Sequence, residues 1–94
     1  MSSNQPWRYD RINDAVAAEI RAERAALRIT TRELAFATGL ELVTMMRYLN
    51  GQRQINVERL YRFADALGTT PSVLYDRAKA RLDAEALTSE PRSA

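Results

Sequence analysis

"TTRELAFATGLELVTMMRYLNG", residues 30–51, is the stretch whose reading decides the fold. Thr30 is a good helix N-cap, and Glu33 three residues later completes a capping box. A helix is therefore predicted over Thr31–Thr38, with Leu34 and Ala35 on its buried side. Gly39 stands where a left-handed residue closes a helix. A second helix follows over about Glu41–Asn50, with Gly51 as its stop. Ala35 is small where the two helices must cross, and Leu34, Leu40, Met45 and Tyr48 can share one core. That is the physical specification of a helix-turn-helix, which holds its second helix proud of the body. A generic helical hairpin is the alternative, but it does not require Ala, Gly and apolar positions to agree in register.

The second of these helices has apolar residues on nearly every side: Leu42, Val43, Met45, Met46, Tyr48 and Leu49. A helix apolar all round is buried or set against something. At about 100° per residue, Met45, Tyr48 and Leu49 share one side, and Val43 and Arg47 lie almost opposite. Met46 falls at the flank, and Leu42 stands in the first turn nearer the core. In a major groove, Val, Leu and Met can pack on thymine methyls, while Arg47 can make a bidentate contact to guanine O6 and N7. The rival reading is that this outer face docks on protein.

Outward from this unit, Gly39, Gly51 and Gly68 divide a chain rich in Ala, Leu, Arg and Glu into helix-sized pieces. The first helix is predicted over about Tyr9–Arg28, with Ile12, Val16, Ile20 and Leu27 as its apolar stripe and Ala17 and Ala25 beside them. Asn56 can cap a helix over Val57–Leu67 whose buried face is Leu60, Phe63, Ala64 and Leu67. Thr70 and Pro71 form an N-cap and N1 pair for a last helix through Leu74, Ala78 and Leu82 to about Ala86. The expectation is an all-α domain over residues 9–87, with tails at 1–8 and 88–94. Trp7 and Tyr9 are expected to close the core beneath the first helix rather than to stack on bases, since no further aromatics interleave with basic residues nearby.

At 94 residues the chain has room for one core. Cysteine and histidine are both absent, which excludes disulfides, thiolate and imidazole metal sites, and the usual neutral-pH base. Asp10 and Asp14 share a helix face with no catalytic partner nearby, so neither an enzyme nor a cofactor or metal is expected. No apolar run approaches the ~18 residues of a membrane span, and the start lacks the order of a signal peptide; a cytoplasmic location is the default. Net charge is only +2, yet seven arginines between residues 24 and 62 face just Glu33, Glu41 and Glu58, giving that segment +4 and the remainder −2. A basic excess in mid-chain suits a surface facing a polyanion. Thirteen arginines to one lysine fit a high-GC bacterial host or its phage.

The stretches "IRAER" (20–24), "TTRELAFATGL" (30–40), "RYLNGQR" (47–53) and "LYRFADALGTTPSVL" (60–74) resemble the Cro/CI-type, lambda-repressor-like (XRE) DNA-binding domains. The resemblance spans about Ile20–Leu74 and implies a compact five-helix bundle that binds double-stranded operator DNA. It places Leu42, Val43, Met46 and Arg47 at base-reading positions. It places Thr31 and Arg32 at the start of the second helix, Thr44, and the loop residues Asn50, Gln52, Arg53 and Gln54 at phosphates. Three positions depart from the family's habit. Thr31 stands where Gln is common, so its phosphate contact is shorter. Glu41 stands where Ser or Thr is common and must turn away from a phosphate. Leu49 stands where many relatives carry a Glu paired with an arginine at position 24, so Arg24 needs Glu23, Glu33, a backbone carbonyl or a phosphate instead.

The function implied is that of a sequence-specific transcriptional regulator, in particular a small phage-type repressor or Cro-like protein. Val73, Arg77, Ala80, Ala84 and Leu87 offer a thin outer surface on the last helix, so a free monomer or weak homodimer is expected. Two alternatives belong to other classes. An antitoxin would co-purify with the product of a neighbouring gene, and a purely protein-docking module would bind no DNA even at low salt.

Overall fold

Three of the helices begin where a side chain caps them. Thr30 and Glu33 exchange the two bonds of a capping box: Glu33 N–H donates to Thr30 Oγ1 at 3.0 Å, and Thr30 N–H donates to Glu33 Oε1 at 2.7 Å. Asn56 Oδ1 accepts from Arg59 N–H at 2.8 Å, and Thr70 Oγ1 from Val73 N–H at 3.2 Å. The protein, in a computed structural model, is described over residues 6–89, with the side chains of residues 11–85 and of Leu87. Among the described residues there are five helices and no strand: α1 (Pro6–Ala26), α2 (Thr31–Thr38), α3 (Leu42–Leu49), α4 (Val57–Leu67) and α5 (Pro71–Ser89). None is long and apolar enough to cross a membrane.

The ends of the long helices differ from expectation. α1 begins at Pro6 rather than Tyr9, and α5 continues to Ser89 rather than Ala86, so both reach into segments expected as tails. A proline suits the first helical position, where its missing N–H is not needed. At its other end α1 stops at Ala26, not Arg28, because Arg28 adopts a left-handed φ of 61°. Its N–H donates to Ala25 O at 3.0 Å, and the N–H of Ile29 to Arg24 O at 3.3 Å. Leu27, beyond the helix end, and Ala25, on its outer side within the last turn, are both exposed, so neither joins the core as the apolar stripe predicts. The expectation for Trp7 and Tyr9 lies outside the described side chains.

The long helices α1 and α5 pack along each other, α2 packs on α3 and α4, and α1 also touches α3 and α4. Ile20, Leu34, Met45, Phe63 and Leu74, one from each helix, are fully buried where these layers meet. Tyr48 closes this core from α3, its ring edge-on to Phe63 with centroids 5.6 Å apart. Aromatic pairs prefer such a T-shaped arrangement. The inner face of α3 is thereby fixed against the body, which decides what its other face presents.

Candidate nucleic-acid interface

The turn between α2 and α3 is set by one backbone angle. Gly39 has φ +71°, and the N–H of Leu40 behind it donates to Ala35 O at 2.8 Å, satisfying a carbonyl that the helix end would otherwise orphan. A Cβ at Gly39 would meet nothing within 4 Å, so glycine is needed there for the sign of φ and not for space. Thr38 is buried at the same joint, its hydroxyl donating to Leu34 O at 2.8 Å.

On α3, Met45, Tyr48 and Leu49 are buried. Val43 (56% exposed), Met46 (47%) and Arg47 face outward, while Leu42 and Thr44 are half-buried at the margins. Glu41 caps the helix by its backbone alone, with an exposed side chain that makes no cap bond. Thr31 is half-buried and Arg32 exposed in the first turn of α2.

The loop leaving α3 is held by α1. Asn13 donates from Nδ2 to Arg53 O at 3.1 Å and accepts from Ile55 N–H at Oδ1 at 2.9 Å. Arg21 Nη1 donates to Leu49 O. Gly51 has φ +76°, which calls for glycine; a Cβ there would lie 2.5 Å from Asp14 Oδ1, the end of an exposed side chain on α1 that can swing aside. Asn50, Gln52, Arg53 and Gln54 are exposed on this pinned loop. Asn13 and Arg21 escape a reading of the sequence because their partners lie 40, 42 and 28 residues away and no local pattern announces them.

Charge is partitioned across the fold. Arg11, Arg77, Arg81 and Lys79 of α1 and α5 each pair with a carboxylate, as does Arg62 with Glu58 on α4. Arg28, Arg32, Arg47, Arg53 and Arg59 have no carboxylate partner among the described residues. Arg24, deprived of a glutamate at position 49, donates from Nη1 to Ile29 O at 2.7 Å and leaves its buried Nε without a partner. A backbone carbonyl thus stands in for the missing carboxylate.

An all-α bundle with a glycine-centred helix-turn-helix, an outward second helix and carboxylate-free arginines around it defines a DNA-binding class. The chain belongs to the Cro/C1-type helix-turn-helix DNA-binding domain family, whose model matches residues 19–79. Two crystal structures of the clp gene regulator ClgR from Corynebacterium glutamicum are similar to it. One superimposes with a TM-score of 0.78 at 25% identity, covering 82% of each chain. The other gives 0.72 at 25% identity, over 76% of this chain and 92% of that one. No curated protein sequence gives a match. A DNA-binding transcription regulator is the function these relationships support.

Proposed function

We propose that the protein is a sequence-specific transcriptional regulator of the small phage-type repressor or Cro-like kind, which works by inserting α3 into the major groove. The observation that carries this reading is the outer face of α3: Val43, Met46 and Arg47 are exposed on a helix whose opposite face is locked into the core. In this pose Val43 and Met46, with Leu42 at the margin, cover thymine methyls, and Arg47 reads a guanine. Thr31, Arg32, Thr44, Asn50, Gln52, Arg53 and Gln54 hold phosphates, which position the protein without reading sequence. The protein acts by binding alone, with no catalytic step, cofactor or metal. A protein-docking face would use the same apolar residues, but it would not account for arginines left without carboxylates beside them.

Selection of binding sites from random duplex DNA tests the proposal and should return a defined motif. No enrichment, even at low salt, would overturn it. Free protein should be a monomer or weak dimer, because the outer side of α5 is thin and a stable interface buries at least ~1,000 Å². A palindromic motif would mean that pairing is coupled to DNA, with half-site centres about 34 Å apart.

A further inference from the structure

Two arginines converge on one buried ring. The guanidinium carbon of Arg53, in the loop after α3, lies 5.2 Å from the centroid of Tyr48, and that of Arg59, in the first turn of α4, lies 5.4 Å from the same centroid. Both distances fall within the range over which a cation is drawn to a ring. Tyr48 is 5% exposed and is itself packed edge-on against Phe63, so the ring belongs to the core. The backbones carrying the two side chains are pinned as well: Arg53 O accepts from Asn13 Nδ2 at 3.1 Å, and Arg59 N–H donates to Asn56 Oδ1 at 2.8 Å.

Two cations held on one ring are eased by an anion, and no described carboxylate supplies one. Glu58, adjacent to Arg59 in sequence, is engaged with Arg62 at 3.0 Å, and no described carboxylate pairs with Arg53 or Arg59. Neither guanidinium makes a hydrogen bond or ion pair among the described residues, so the N–H donors of both are free beside the ring. A guanidinium beside a ring keeps N–H donors in the fork geometry that suits phosphate.

We infer that Arg53, Tyr48 and Arg59 form one phosphate clamp, in which the tyrosine ring orients both guanidinium groups toward the backbone of a single DNA strand. The inference rests on the DNA-binding reading above and adds Arg59 and Tyr48 to the residues named there. Tyr48 acts as a positioning residue beneath the two cations and does not itself touch DNA. The clamp couples the core to the interface, because the ring that fills the space beside Phe63 is also the surface that sets the arginines.

Random-sequence duplex DNA is a sufficient probe, since phosphate contacts are blind to sequence. Wild type, Arg59→Gln, Arg53→Gln and the double variant are titrated at several salt concentrations, with melting curves recorded for each. Each single variant should stay folded and lower the slope of log K against log salt by about 0.9, the value for one released counterion. The double variant should lower it by about twice that. Arg59→Lys should restore most of the slope but not all of the affinity, because it keeps charge and loses the fork. If wild type and Arg53→Gln behave as stated and Arg59→Gln keeps the wild-type slope, the clamp is wrong while the DNA-binding reading stands. A fall in melting temperature with no change of slope would make Arg59 only a structural prop for the ring. Wild type that binds no duplex at low salt would overturn both readings together.

Discussion

The α1–α5 side of the molecule and the surface around α3 use the same side chain in opposite ways. Between α1 and α5, arginines cross-link the helices: Arg81 donates from Nε to the buried Glu19 at 2.8 Å, Arg77 reaches Glu23 and Glu19, and Arg11 meets Glu85. Around α3 the arginines meet carbonyls, a ring or nothing, and no described carboxylate. Net charge hides the contrast, because the acids are concentrated where they cancel the first group. Charge between α1 and α5 serves the fold, as do Arg21 and Arg24 through their carbonyls, whereas Arg32, Arg47, Arg53 and Arg59 near α3 are available to a ligand. Removing a group from the first region should therefore change melting and spare binding, and removing one from the second should do the reverse.

The largest effect is expected beneath both regions, in the shared core. Leu34→Ala or Tyr48→Ala should lower stability by about 2–5 kcal/mol, the range for emptying a buried apolar site. Leu34 is fully buried and Tyr48 nearly so. Chemical denaturation reads the loss. An unchanged midpoint for the Tyr48 variant would mean that α3 is rotated by most of a half-turn from the orientation described. Next comes Glu19→Ala on the α1–α5 side, which should lower stability by roughly 1.5–3 kcal/mol, the range for a hydrogen bond to a charged group. The folded variant should keep the wild-type salt slope on DNA. A change of slope would show that the two regions are not separate after all.

How far the sequence reveals each region depends on how local its determinants are. The limits of α2 and α4, the capping box, and the roles of Gly39 and Asn56 are all legible because each is decided within a few residues. The inward and outward faces of α3 follow from helical periodicity alone. The end of α1 does not, because Arg28 takes a left-handed conformation that a glycine would have advertised. Leu27 fits the stripe numerically, yet the helix has ended before reaching it. Likewise the sequence allows Arg53 to be named for its loop, but nothing local links Arg59 or Asn13 to it. Those links appear only when α1 and α4 fold back onto Tyr48 and the loop.

On the ligand side, Arg47→Ala should cost about 1–3 kcal/mol on the selected motif and relax the preference at one guanine, as for loss of a bidentate base contact. Its melting temperature should match wild type, since Arg47 is exposed and pairs with no described carboxylate. Equal weakening on random and specific DNA would reassign Arg47 from a base to a phosphate.

The smallest effect is also the most diagnostic for the exposed apolar residues of α3. Val43 and Met46 leave large apolar surfaces in water, which the body of the protein does not cover. If Val43 lies in the groove, at least one thymine of the motif has its methyl against it. Replacing that thymine with uracil deletes the methyl and keeps every hydrogen-bonding edge, so the loss should be about 0.8 kcal/mol, the value for one buried carbon. The same substitution should matter much less to Val43→Ala, whose side chain no longer reaches the methyl. A protein-docking face predicts that uracil is silent and that Val43→Ala leaves DNA affinity alone. An equal response of both proteins to uracil would place the methyl against another residue, with Met46 the nearest to test. Only a response that depends on Val43 ties this apolar face to thymine.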